Sequence, residues 1–162
     1  MVDFSVNDVN KAFFILSNVV RRTPLNHSSY LSKQNQIYLK NENLQLTGSF
    51  KIRGAYYKIS NLSYIDRAKG VIACSAGNHA QGVAYAAKLY NAKATIVMPT
   101  TTPLIKVNRT KSYGAEVVLY GDVYDDAYQK ALGENEYYEQ VLSVISILDN
   151  PQIKAKRLDG QH

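Results

Sequence analysis

One lysine has the surroundings of a nucleophile. In Lys40-Asn41-Glu42-Asn43-Leu44-Gln45-Leu46-Thr47-Gly48-Ser49-Phe50-Lys51-Ile52-Arg53-Gly54-Ala55, Lys51 follows a Gly-Ser turn and a phenylalanine and opens a stretch of helical composition. An amine near a helix N-terminus and shielded by apolar neighbours is expected to have a depressed pKa. The neutral amine adds to aldehydes. A lone lysine in a first helical turn is more often a solvated surface residue. The whole surrounding motif sets Lys51 apart from that reading.

The second signal is Ser75-Ala76-Gly77-Asn78-His79-Ala80-Gln81-Gly82. It falls between an apolar run and an alanine-rich segment, at a strand-to-helix turn. Such a turn presents backbone N–H groups and the positive end of a helix dipole to an anion. Ser75 and Asn78 add side-chain donors, and a carboxylate is a natural guest. Taken alone, the same residues are an ordinary Ser/Asn helix cap with a glycine for the turn. A metal is not indicated: His27, His79 and His162 are too scattered, and Cys74 has no CxxC partner.

The elements around these motifs alternate. Ser5 and Asp8 suggest a capping box for a helix over residues 6–20, ended before Pro24. Residues 36–40 read as a strand and 50–60 as a helix. Strands at 71–74, 94–98 and 116–120 then alternate with helices at 78–89, 103–113 and 123–132, with Gly82 tolerated inside the first of these helices. Pro103 and Gly114 bracket the middle helix in the usual order. Apolar strands alternating with helices predict an α/β fold with a parallel sheet and right-handed crossovers. From Gly133 the pattern changes. Residues 134–149 suggest one more helix, and 151–162 are polar without a period.

The bulk numbers exclude several classes. A chain of 162 residues, 46% hydrophobic and 20% charged, is ordinary for a globular domain. The net charge of +6 comes from 19 scattered Lys and Arg, with no basic run, so a nucleic-acid partner is not expected. One cysteine allows no intrachain disulfide. No apolar stretch approaches the ~18 residues of a spanning helix, and the N-terminus has no secretion-signal pattern. A cytoplasmic chain without a membrane partner is expected.

The two motifs, in this order, closely resemble the threonine/serine dehydratase (threonine ammonia-lyase) branch of the fold-type II pyridoxal-phosphate (PLP) enzymes. Arg22-Thr23-Pro24-Leu25, Ile96-Val97-Met98-Pro99, Lys106, Gly114-Ala115-Glu116-Val117 and Gly121 extend the resemblance from about Arg21 to Leu132. The resemblance implies the parallel three-layer α/β sheet of that family, which is tryptophan synthase β-like, here incomplete. It implies PLP as cofactor, held by Lys51 as the catalytic Schiff-base lysine, with Phe50 beside the ring and Asn78 on the ring hydroxyl. Ser75, Asn78 and His79 would hold the carboxylate of L-threonine or L-serine. The implied products are 2-oxobutanoate or pyruvate, and ammonia. Serine racemases of this family carry a second serine where this chain has Ala76. Sulfhydrylases and threonine synthases usually carry an aspartate after the lysine, where this chain has Ile52. Both differences favour a dehydratase.

Family members are longer. Their second half supplies the glycine-rich loop for the PLP phosphate, and no run of glycines occurs here. The isoleucine-sensing regulatory domain of biosynthetic members is likewise not expected among these residues. The resemblance divides the chain into residues 1–53, an arm of the large PLP domain; 54–135, a small α/β domain; and 136–162, a divergent tail. The expectation is the N-terminal portion of a lyase of amino-acid metabolism, homo-oligomeric in full-length form. The alternative is an inactive remnant that only folds or associates.

Overall fold

The computed structural model describes residues 5–137. Helix α1 spans Val6–Leu16 and begins with the expected capping box: the Asp8 carboxylate accepts from the Ser5 N–H at 3.0 Å and from the Ser5 hydroxyl at 2.7 Å. It stops at Leu16, short of the expected residue 20. The Ser17 hydroxyl donates to the Phe14 carbonyl at 2.9 Å, and the N–H groups of Val19 and Val20 turn back to Leu16. Serine and β-branched valine are weak continuers of a helix, and that composition outweighed the apolar spacing.

Two short strands follow, β1 (Leu25–His27) and β2 (Tyr38–Lys40), paired antiparallel with Leu25 opposite Lys40. The β1 strand was not legible in advance. Three residues carry no period, and the pairing across a ten-residue loop creates the strand. A 3-10 turn at Glu42–Leu44 leads to α2 (Lys51–Ser60), and α3 (Tyr64–Lys69) begins where the Ser63 hydroxyl accepts the Asp66 N–H at 3.0 Å. Both short helical pieces escaped the periodicity argument, since one or two turns show too few apolar positions.

The sheet matches the expectation. Strands β3 (Val71–Cys74), β4 (Ala94–Met98) and β5 (Glu116–Leu119) pair in parallel in that order, with Val71 opposite Ala94 and Thr95 opposite Glu116. Helices α4 (Asn78–Leu89), α5 (Leu104–Ser112) and α6 (Tyr124–Tyr137) follow the three strands. Strand side chains alternate between two apolar layers. Val71, Ala73, Ala94, Ile96 and Met98 pack with Ala55 and Ile59 of α2, Ala80, Val83 and Ala87 of α4, and Val107 of α5. Ile72, Cys74 and Val97 pack on the other face with Ala127 and Ala131 of α6. Helices therefore cover both faces of the sheet. Full burial of a side chain such as Ile59 or Ile96 contributes ~1.5–3 kcal/mol.

Helix α6 runs through Gly133, where a change of pattern was expected, and reaches Tyr137. Glycine in a helix interior costs only ~1 kcal/mol relative to alanine, and Ala131, Leu132 and Glu134 around it are strong helix formers. The rest of the helix expected over 134–149, and the tail 151–162, lie outside the described residues. Among the described residues no helix is long and apolar enough to cross a membrane.

Candidate active site

The lysine motif folds into a turn and a helix start. Gly48 has φ +72°, a left-handed conformation that favours glycine, and its N–H donates to the Gln45 carbonyl at 2.8 Å. That turn redirects the chain into α2, and Lys51 is the first helical residue. Lys51 is half-buried, and Phe50 before it is 57% exposed. The apolar enclosure expected around the amine is therefore only partial among the described residues. Lys51 Nζ lies 5.1 Å from the centroid of the Phe50 ring, a cation–π geometry. No carboxylate among the described residues pairs with it.

The second motif lies at the C-terminal end of β3. The Ser75 N–H donates to the Val97 carbonyl at 3.1 Å, and its hydroxyl accepts the Gly77 N–H at 3.2 Å. Gly77 is the N-cap of α4, and no side chain caps the helix. The ordinary reading of Ser75 or Asn78 as a cap therefore fails. The first N–H groups of a helix have no intrahelical partner, and at α4 they face the turn with the positive end of the dipole. Asn78 is exposed and His79 half-buried in that first turn.

Packing of α2 on α4 brings the two motifs together, and Gly82 is the contact that permits it. A Cβ at Gly82 would stand 3.0 Å from the Lys51 carbonyl carbon, 3.1 Å from its oxygen and 3.2 Å from the Ile52 nitrogen. Gly82 therefore lets α2 and α4 cross closely, a role beyond being tolerated inside the helix. No local pattern shows what a helical glycine will pack against, so this was not legible from the sequence.

The site also holds unpaired polar atoms. Four buried side-chain atoms among the described residues have no hydrogen-bond partner, and Thr47 Oγ1, His79 Nε2 and Gln81 Oε1 belong to the two motifs. Buried polar groups normally have partners, so these atoms are suited to a polar ligand or ordered water. Burial, with the Lys51 charge adding to it, pushes His79 down to about 4 from an ordinary 6.5. The ring is neutral near pH 7. The unfolded chain takes up this proton first, so stability should fall as pH drops from about 6.5 to about 4. An NMR titration of the His79 ring should show a midpoint near 4. A midpoint at the ordinary value would mean that water reaches the ring and that the burial argument fails.

An α/β unit with an unpaired lysine at one helix start, packed on an uncapped and donor-rich helix start, has the makings of a cofactor-dependent amine site. The PLP-dependent enzyme family matches residues 16–153, past Leu132, and the chain belongs to that family. It is 55% identical over 130 residues to the L-threonine ammonia-lyase of Thermotoga maritima, covering 79% of this chain and 32% of that protein. It is 52% identical over 125 residues to the catabolic L-threonine dehydratase TdcB of Staphylococcus aureus, covering 75% of this chain and 36% of that protein. Among solved structures, threonine deaminase isoform 2 of Solanum lycopersicum superposes with a TM-score of 0.74 at 42% identity, over 84% of this chain and 39% of that chain. Maize serine racemase superposes with a TM-score of 0.79 at 32% identity, over 85% and 42%. The chain thus spans about a third of the length of the curated relatives it matches, 32% and 36%.

Proposed function

We propose that these residues serve a PLP-dependent threonine (serine) ammonia-lyase, converting L-threonine to 2-oxobutanoate and ammonia, or L-serine to pyruvate and ammonia. The observation that carries this reading is the free amine of Lys51, seated by Gly82 against the open first turn of α4. The unpaired atoms of Thr47, His79 and Gln81 fit a polar group entering there. PLP, when bound, supplies an electron sink for the charge left at the substrate Cα. Lys51 holds the cofactor through its ε-amine and moves the proton at that carbon. Phe50 would lie beside the ring, and the Asn78 amide would hydrogen-bond the ring hydroxyl. Ser75, Asn78, His79 and the first N–H groups of α4 bind the substrate carboxylate. The separation of the β1–β2 ribbon from the β3–β5 sheet suits a division into a large-domain arm, residues 1–53, and a small domain, 54–135.

Ala76 argues against racemisation, because its methyl group can neither take nor return a proton. The higher identity to threonine deaminase than to serine racemase, 42% against 32%, points the same way. The reading is tested in a hybrid enzyme in which this chain's segment replaces the matching 130 residues of the Thermotoga maritima protein. With L-threonine it should release 2-oxobutanoate and leave the remaining threonine in the L form. D-amino acid as the main product in chiral chromatography would replace this reading with a racemase.

A further inference from the structure

The start of α2 is electrostatically awkward. Lys51 and Arg53 place two cations in its first turn, and no acidic residue accompanies them. The N-cap residue Phe50 offers no side-chain acceptor, and the Ser49 hydroxyl alone accepts the Lys51 N–H at a long 3.4 Å. Cations belong at the opposite end of a helix dipole. The compensating charge comes from outside the helix. Glu42, in the 3-10 turn, accepts from Arg53 Nε at 2.8 Å on one carboxylate oxygen and from Arg53 Nη2 at 2.8 Å on the other. Its Oε1 also accepts the Thr23 hydroxyl at 2.5 Å. Forked pairs of this kind fix geometry as well as charge.

Gln45 extends the clasp. Its Oε1 accepts the Arg21 N–H at 2.8 Å, and its Nε2 donates to the Arg21 carbonyl at 2.9 Å. Residues 21–23, the 3-10 turn and the first turn of α2 thus form one block. On the other side α2 lies so close to Gly82 that a Cβ there would stand 3.0 Å from the Lys51 carbonyl carbon. The rest of α2 is held differently, by Ile52, Ala55 and Ile59, each almost completely buried. Helix ends fray when their terminal groups lack partners. Loss of the clasp should therefore free the first turn while the apolar face stays packed.

We infer that Glu42 is a positioning residue for Lys51: through its forked pair with Arg53 it holds the first turn of α2, and so fixes the direction from which the Lys51 amine meets the PLP aldehyde. The inference rests on the proposed PLP chemistry for its consequence, and on the Glu42–Arg53 geometry alone for its cause. The Arg53 hydrogen bonds keep the Glu42 carboxyl down at about 2, so the pair persists at neutral pH.

The test compares the full chain with its Glu42→Gln and Arg53→Lys variants. Backbone amide exchange is followed by NMR. Imines formed with added PLP are trapped with borohydride and located by peptide mass, with exposed Lys33 and Lys88 as internal references. In Glu42→Gln, exchange at residues 51–54 should quicken about ten-fold while α4 amides and the melting midpoint change little. Labelling of Lys51 relative to Lys88 should fall several-fold. Arg53→Lys, which keeps the charge but not the fork, should lie between. Unchanged exchange and labelling would overturn the inference, and so would a uniform rise in exchange across α2 and α4, the mark of general destabilisation. The labelling is read in the hybrid enzyme, which supplies the rest of the site. Failure of the unaltered hybrid to label Lys51 above the references would count against the PLP reading instead, and the exchange comparison in the full chain would still decide the clasp.

Discussion

Lys51→Ala in the hybrid enzyme is expected to lower 2-oxobutanoate formation from L-threonine at least ~10³-fold, because in the proposed function one amine both carries the cofactor and moves the Cα proton. Fold and thermal stability should hardly change. Lys51 is half-buried, pairs with no carboxylate among the described residues, and contributes only its stem and the contact with the Phe50 ring. The assay is a coupled measurement of 2-oxo acid, with the hybrid's melting curve as control. Substantial turnover by the alanine variant would remove Lys51 from its proposed role. The 162-residue polypeptide by itself is expected to release no 2-oxo acid. Fixed positioning of reacting groups can account for ~7–11 kcal/mol of a barrier, and no run of glycines able to cradle the PLP phosphate occurs in these residues. Turnover by that polypeptide, lost in Lys51→Ala, would show that other residues supply the anchor.

Gly82→Val should be the most damaging substitution outside the reactive groups. The added Cβ alone would meet backbone atoms of Lys51 and Ile52 at 3.0–3.2 Å, and backbone cannot swing aside as a long side chain does. Overpacking of a tight contact typically costs ~1–3 kcal/mol. The larger effect falls on chemistry, since relief requires α2 to move away from α4 and to carry Lys51 with it. A displacement of ~1 Å at a reacting group can cost ~10²-fold in rate. In the hybrid, kcat should fall by about that factor, with a lower melting midpoint, and Gly82→Ala should show the same loss in smaller measure. Gly133→Ala, in helix α6 and outside both motifs, is the comparison, since a Cβ there meets nothing within 4 Å. A Gly82→Val hybrid with normal kcat would mean that the α2–α4 contact does not set the position of Lys51.

The sequence alone determined the class of fold and the two motifs. Strands at 71–74, 94–98 and 116–119 are apolar runs between turn residues, and a parallel order follows from the helices that must connect them. Lys51 at a helix start and Ser75–His79 at a strand-to-helix turn were legible because caps, turns and helix starts are local chemistry. What tertiary structure decided lies between segments distant in the chain. The early stop of α1, the pairing that makes β1 and the continuity of α6 through Gly133 depended on competing local and long-range terms that spacing does not rank. The need for Gly82 appeared only once α2 lay against it, since an absent side chain leaves no pattern. The Glu42–Arg53 and Gln45–Arg21 links join residues whose types alone name no partner. Single residues showed which chemistry was available, and packing decided which of them meet, because contact depends on the relative placement of helices that no stretch of sequence contains.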